Sequence, residues 1–515
     1  MEGGVTQRQI RDDRGDGPRP PARSGGRVGA AALAQLVGPT VATATGPFYR
    51  RLAAAVTAAV HARDLPGGSW LPSERQLAER LGVARGTVVA AYELLAAEGV
   101  VERRQGSGTW VVEPEPVDDG VGERDAALRA RRLMDGFFRG DDGIIDLAPA
   151  VIPSLEGLPL DAFHPDLAAM EAMAAGHGYL PLGLPDLRTR LAALHAEAGL
   201  PTTANQVGIT VGALQAIALV VRLLVRPGDR VVVESATFPG AIDILARAGA
   251  RLETVRSDGA GALPDDLARV VERCAPRLVY LVPTSHNPTG TVMPDHRRRE
   301  VAALADATGT WVLEDECLAW STTDGRRPPA IAALSTSDRV VTIGSLSKLY
   351  WGGLRVGWVR ADEALIARLG RLKAAEDLGN CSISQAVALG LLDQYEDVVA
   401  HRRAELRHKL ALLAGLLQEQ LPDWTVAVPD GGVCLWPRLP AGAADDLLPT
   451  ALAHGVAFLP GSSASPREEH LDHLRLAATL PPALLEEAVR RLASAWADFR
   501  PGSSAGRSGP VPALG

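Results

Sequence analysis

The chain has 515 residues, 46% of them hydrophobic, and a formal net charge of −8. At about 100–200 residues per domain, this length makes roughly three to four domains or subdomains, and the apolar fraction excludes wholesale disorder. No apolar run reaches the roughly 18 residues of a membrane span, the first 46 residues hold no signal-peptide h-region, and four well-separated cysteines (Cys274, Cys317, Cys381, Cys434) without a C-x-x-C fit a reducing cytoplasm.

Residues 1–46 are rich in Gly, Pro, Arg and Ala, have little periodicity before Ala30–Val37, and are expected to form a disordered arm. Residues 47–112 make a module. Leu52, Val56 and Val60 share one face of a helix over Phe48–Asp64. Ser73, with Gln76 three residues on, opens a second helix in capping-box fashion; Leu81 closes it and Gly82 ends it. A third helix spans about Ala84–Glu98, and Val100–Arg103 and Thr109–Val112 flank a turn as a β-hairpin. Helix, tight turn, helix, β-wing is winged helix-turn-helix order, in which the later helix enters the major groove by its N-terminal end. Candidate DNA-contacting residues are Arg85 and Thr87 at that end, Arg75 early on the preceding helix, and Arg103, Arg104 and Gly106 on the wing. The charge agrees: residues 1–112 hold 14 Arg, no Lys and 10 Asp and Glu, a balance of +4 that leaves −12 for the remainder.

Residues 113–140 read as a linker. From 141 the pattern changes. VVVE (231–234), LVYLV (278–282), WVLED (311–315) and VVTIG (340–344) alternate with helical stretches, which predicts an α/β body with a mainly parallel sheet over 141–398. A long helix, Val399–Gln420, opens a smaller α+β subdomain over 399–500, and 501–515 read as a flexible tail.

Chemistry-bearing residues follow these strands. Val211-Gly-Ala-Leu-Gln215 opens a helix whose free N–H groups at Ala213 and Leu214 suit a phosphate. Phe238 follows VVVE, Asn287 lies in His286-Asn-Pro-Thr-Gly290, and Asp315 ends WVLED. Ser345-Leu-Ser-Lys348 follows VVTIG, with Arg355 seven residues on. Pyridoxal 5'-phosphate needs such a set. Lys348 is the amine for its aldehyde and hence the catalytic residue, Asp315 meets the pyridine nitrogen, Asn287 the ring hydroxyl and Phe238 the ring face. Ser345, Ser347 and Arg355 join Ala213 and Leu214 around the phosphate. Arg475, in His473-Leu-Arg475-Leu, can fork a substrate or effector carboxylate.

Only three of the 53 basic residues are lysines, and a lysine kept among so many arginines stands out, because guanidinium cannot replace its chemistry. Lys373 and Lys409 sit on charged helical stretches without phosphate-binding neighbours. His470 and His473 have H-x-x-H spacing but no third ligand and read as solvated, so no metal is expected. Ser345-x-x-Lys348 also matches serine acyl-enzymes, but no lysine is followed by the Thr of their Lys-Thr-Gly.

The run LPSERQLAERLGVARGTVVAAYELLAAEGVVERRQGSGTWVV, and with it Phe48–Val112, resembles the GntR family of bacterial regulators; Ala84 stands where that family usually has Ser or Thr. About Asp146–Leu492 is similar to the fold-type-I aminotransferases, a likeness carried by NPTG, SLSK and GLRVG. That resemblance implies a homodimer in which Tyr179, of GYLPLGLPDLR, reaches the partner subunit's phosphate. It breaks at Cys317, where a Tyr usually hydrogen-bonds the ring hydroxyl. The fusion resembles the MocR subfamily, with GGVCLWPRLP and EEHLDHLRL closest to its YczR-like branch. The resemblance implies a cytoplasmic, DNA-binding transcriptional regulator that holds pyridoxal 5'-phosphate and senses it, or an amine or amino acid. The alternatives are a working class I/II aminotransferase carrying a DNA-binding module, and a DNA-binding protein whose cofactor site is dead.

Overall fold

The computed structural model describes residues 28–43, 47–61, 65, 69–97, 100–104, 108–111, 143–152, 158, 163–164, 171, 175–467 and 469–500. Two units divide at Asp118–Asp119. The linker expected at 113–140, the wing residue Gly106 and the tail at 501–515 lie outside the described residues.

The first unit contains α1 (Ala30–Thr43), α2 (Phe48–His61), α3 (Glu74–Leu81), α4 (Arg85–Ala97) and an antiparallel hairpin, β1 (Val101–Arg104) with β2 (Gly108–Val111). The start of α3 is the expected capping box: Ser73 Oγ accepts from the Gln76 N–H and Gln76 Oε1 accepts from the Ser73 N–H. Its end is Gly82, in the left-handed region at φ 67°. Leu52, Val56, Leu77, Val88 and Leu95 fill the core. The buried Tyr92 hydroxyl donates to the Pro72 carbonyl at 3.0 Å, tying the LPSER turn to α4.

Helix α1 corrects the expectation of a disordered arm over its part Ala30–Thr43; residues 1–27 and 44–46 of that arm lie outside the described residues. Leu33, Val37 and Val41 recur one helical turn apart and enter the same core, 0%, 1% and 6% exposed. Arg51 donates to the Val41 carbonyl at 2.9 Å, and the Val28 N–H to that of Trp70. Three apolar side chains suffice because they join an existing core.

The second unit opens with β3 (Ile145–Asp146), which pairs in parallel with Val456–Ala457. Its main sheet comprises β4 (Val207–Thr210), β5 (Arg230–Glu234), β6 (Arg251–Val255), β7 (Leu278–Leu281), β8 (Trp311–Asp315), β9 (Val340–Ser345) and β10 (Gly357–Arg360). The order is β4-β10-β9-β8-β7-β5-β6; β10 is antiparallel to both neighbours and the other pairings are parallel. Every residue of β7, β8 and β9 is buried, which is why they read as unbroken apolar runs rather than alternating ones. Helix α5 (Pro185–Glu197) precedes β4, and helices α6 (Ala213–Leu224), α7 (Pro239–Arg247), α8 (Pro264–Cys274) and α9 (Asp295–Thr308) connect successive strands from β4 to β8. Such a sheet collects its functional groups where strands end and loops begin.

Beyond α10 (Glu363–Glu376) and α11 (Ser382–Leu391) comes the long helix α12 (Tyr395–Gln420), which starts four residues before the expected Val399. It packs Leu410, Leu413 and Leu417 into a separate core with Trp424, Leu474 and Val489, the smaller subdomain. No helix among the described residues is long and apolar enough to cross a membrane.

Because Leu33 is fully buried, Leu33→Ala lowers the stability of the first unit by about 2–5 kcal/mol. Faster amide exchange in α2 and α4 of the full-length protein is the readout; unchanged exchange there would show that α1 is not part of this core.

Candidate cofactor site and DNA-contacting surface

A cavity of about 310 Å³ opens at the carboxyl ends of β5, β7, β8 and β9. Its walls bring together Ala213, Leu214, Phe238, Asn287, Asp315, Ser345, Ser347, Lys348, Arg355 and Arg475 from seven separate stretches of chain, joined by Cys317 and by Pro149, Ala150 and Val151.

Asp315 is the last residue of β8 and 6% exposed. Burial pushes its carboxyl above the usual carboxylate range, while the Cys317 thiol and N–H, the Tyr280 hydroxyl and the Lys348 charge pull the other way. The distances are 2.8 Å from Tyr280 Oη to Oδ2 and 3.0 Å from the Cys317 N–H to Oδ1. Burial, then the nearby Asp315, drive Tyr280 and Cys317 well above their ordinary values, so both stay protonated donors. Lys348 Nζ donates to the Ala150 carbonyl. Its ammonium is pushed down to about 8, by burial first and then by Arg475.

Another set of the lining residues makes an anion cradle. The N–H groups of Ala213 and Leu214, in the first turn of α6, have no acceptor within the helix. Gly212 before them has φ +79°, and a Cβ there would come within 3.0 Å of Arg355 Nη2, so the close approach of the turn to that guanidinium requires glycine. Arg355 is itself left-handed, at φ 53°, and its Nη2 donates to the Val211 carbonyl at 2.5 Å. Ser347 Oγ is buried without a partner, while Ser345 Oγ accepts from the Ser347 N–H at 3.2 Å. A guanidinium, an orphaned hydroxyl and a helix N-terminus fit a phosphate.

Asn287 and Arg475 stand together. Arg475 Nη1 donates to Asn287 Oδ1 at 2.9 Å, which leaves the Asn287 amide N–H groups as donors, and Nη2 donates to the Ala148 carbonyl at 2.6 Å. Arg475 Nε is buried without a partner. The loop carrying Asn287 is clamped by Arg298, 0% exposed, which donates to the carbonyls of Met293 and Pro283 and to Thr284 Oγ1 at 2.7–2.8 Å. A Cβ on Gly290, at φ +72°, would meet Pro429 and the Gly431 carbonyl within 2.5 Å, which explains the glycine of the NPTG motif. The Asn287–Pro288 peptide is cis.

Other residues stand apart. Tyr179 is 59% exposed and does not line the cavity. His470 and His473 correct their reading as solvated side chains: both are half-buried, His473 stacks on Trp436 with ring centres 5.3 Å apart, and its Nδ1 lies 2.7 Å from Asp472 Oδ1. Lys373 and Lys409 are buried on their helices. In the first unit, Arg75 and Arg85 are exposed and Thr87 half-buried. Arg103 is engaged, 2.8 Å from Glu74 and 3.7 Å from Glu93. Arg104 lies on β1, its side chain outside what is described. Sequence reasoning missed Tyr280, 35 residues from the carboxylate it serves, and the wall at 149–151, which carries only backbone acceptors and small apolar side chains.

The architecture defines a class: a doubly wound, mainly parallel sheet with a lysine, a carboxylate and an anion cradle at its carboxyl edge, in one chain with a winged helix. The chain belongs to the aminotransferase class I and II family, which matches residues 144–492; residues 48–111 match the bacterial regulatory proteins of the gntR family. The uncharacterised HTH-type transcriptional regulator YdfD of Bacillus subtilis is 28% identical over 432 residues, 81% of this chain and 89% of that one. The "Probable rhizopine catabolism regulatory protein MocR" of Rhizobium meliloti is 27% identical over 477 residues, 87% and 94% of the two chains. Among solved structures, the α-aminoadipate aminotransferase LysN of Thermus thermophilus, complexed with N-(5'-phosphopyridoxyl)-L-leucine, is 27% identical with a TM-score of 0.65, over 72% of this chain and 97% of that one. This protein is thus a GntR-type regulator fused to an aminotransferase-like domain.

Only the neutral amine attacks an aldehyde, so a Lys348 depressed to about 8 makes pyridoxal phosphate capture rise with pH and reach half its maximum near 8. Stopped-flow absorbance of the cofactor-free protein between pH 6.5 and 10 checks this; a rate still climbing steeply at pH 10 would mark an ordinary lysine.

Proposed function

We propose that the body holds pyridoxal 5'-phosphate and senses the cofactor itself, or an amine or amino acid that reacts with it, while the winged helix reads an operator. The observation that carries this reading is the convergence of Lys348, Asp315 and an anion cradle on one cavity, in a chain that also carries a gntR-type module. When bound, the cofactor supplies an aldehyde for primary amines and an electron-withdrawing ring. Lys348 is the protein's own amine. Asp315, held as an acceptor by Tyr280 and Cys317, keeps a proton on the ring nitrogen. Asn287 donates toward the ring hydroxyl and Phe238 covers a ring face. Ser345, Ser347, Arg355 and the N–H groups of Ala213 and Leu214 take the phosphate. Arg475, already beside Asn287, orients an effector carboxylate.

The exposed Tyr179 is available to a second copy, and we take the working form as a homodimer in the cytoplasm with a composite site. An incoming amine that took the place of Lys348 would alter the contacts of this cavity, and a change between two states of the dimer would carry that to DNA. Continuous transamination is the competing reading, favoured by the intact Lys348, Asp315 and Arg475. Cys317, a weak donor where a tyrosine is usual, argues against it.

Lys348→Ala removes the visible band of the lysine-bound cofactor and leaves the winged helix folded. Borohydride reduction and peptide mapping of the parent label Lys348 alone; label on Lys373 or Lys409, or an undiminished band in the variant, overturns the assignment. Many turnovers with an amino donor and a keto acid would favour the competing reading.

Arg85→Ala weakens specific operator binding by about 1–3 kcal/mol, with cofactor binding unchanged, because Arg85 is exposed at the first turn of α4. Equal losses on specific and random DNA would make Arg85 a phosphate contact instead.

A further inference from the structure

Lys373 does not line the cavity, yet it is 0% exposed on α10. Its Nζ donates to Asp377 Oδ2 and Asn380 Oδ1, both at 2.8 Å, and to Gln215 Oε1 at 3.3 Å. Three acceptors meet the three N–H groups of an ammonium. Apolar neighbours on the same helix, Leu365, Ile366 and Leu369, already fasten α10 to the core, so the polar cluster is not needed as glue. Taking an ammonium out of water costs several kcal/mol unless its partners are well placed, and here they lead to one spot.

That spot is Gln215, in the first turn of α6. Its Oε1 accepts from the Val211 N–H at 2.7 Å, and its Nε2 donates to Asp377 Oδ2 at 2.8 Å. Lys373 and Asp377 therefore grip both ends of the Gln215 amide. The gripped amide holds the N–H of Val211, whose carbonyl accepts from Arg355 Nη2. Gly212, Ala213 and Leu214 are the residues spanned by this brace.

We infer that Lys373 is a positioning residue for the phosphate cradle: through Gln215 it fixes the turn at Val211–Leu214 and, through the Val211 carbonyl, the guanidinium of Arg355. The inference rests on the cavity being a pyridoxal phosphate site, and it adds a residue that never touches the ligand.

The test compares two ligands that differ only in the phosphate. Full-length, cofactor-free protein is titrated with pyridoxal 5'-phosphate and with pyridoxal, following the visible band, for the parent, Lys373→Met and Gln215→Met. Each substitution is expected to weaken pyridoxal phosphate by about tenfold, the worth of one hydrogen bond to a charged group, and to leave pyridoxal within about twofold. Equal losses for both ligands, or none for either, would overturn the inference, since a fold-fastening role does not read the phosphate. If Lys373→Met does not fold, Gln215→Met decides by the same ratio, because it leaves Lys373 paired with Asp377 and Asn380. A parent protein that binds neither ligand, or both equally, overturns the cofactor reading itself, an outcome distinct from any behaviour of the variants.

Discussion

A carboxylate at the end of a strand buried on both faces is the constraint around which the second unit is arranged. Asp315 cannot be left without donors, since an unpaired buried ion costs several kcal/mol. Tyr280 from the neighbouring strand and Cys317 from the following turn meet that demand. The residue before it, Glu314, faces the other way and is 0% exposed. Burial and the nearby Glu316 raise its pKa, and it accepts from the N–H of Ile331 at 2.6 Å and from Thr342 Oγ1 at 2.7 Å. Two adjacent carboxyls on one strand thus have opposite duties. Glu314 stitches the sheet to the short helix Ile331–Leu334, and Asp315 presents its oxygens to the cavity.

The cationic side of the cavity follows the same logic. Arg475 is buried between Asn287 and the Ala148 carbonyl, Arg298 holds the loop that carries Asn287, and Arg355 fills the space that Gly212 leaves open. Each guanidinium is fixed by a backbone carbonyl, and Arg475 and Arg298 by a side chain as well. The donors are therefore in position before any ligand arrives, which reduces the ordering cost of binding.

What could be read from the sequence was what lies close together along it. The capping box at Ser73, the Gly82 stop and the strand ends at Asp315 and Ser345 are local patterns, and each falls where expected. Lys348 stood out because its neighbours Ser345, Ser347 and Arg355 are within a dozen residues. The Lys373 cluster was illegible because Gln215 lies 158 residues from it in the chain. The stripe of Leu33, Val37 and Val41 was masked by the small residues around it, and its value depends on a core built by other helices. His470 and His473 resembled free surface histidines because the ring that covers them, Trp436, arrives from a stretch of chain more than thirty residues earlier.

The burial of the lysines has a consequence for the outside of the molecule. Lys373 is closed off, the Lys409 side chain is 11% exposed and pinned to Glu405 at 2.6 Å, and Lys348 opens onto the cavity. The protein's positive surface is built from arginine, which neither acylates nor forms amide cross-links under mild conditions. Lysine-directed reagents, acyl-transfer enzymes and lysine-specific proteases accordingly find no freely exposed ε-amine, and a small acyl donor or aldehyde meets its most accessible one, Lys348, inside the cavity.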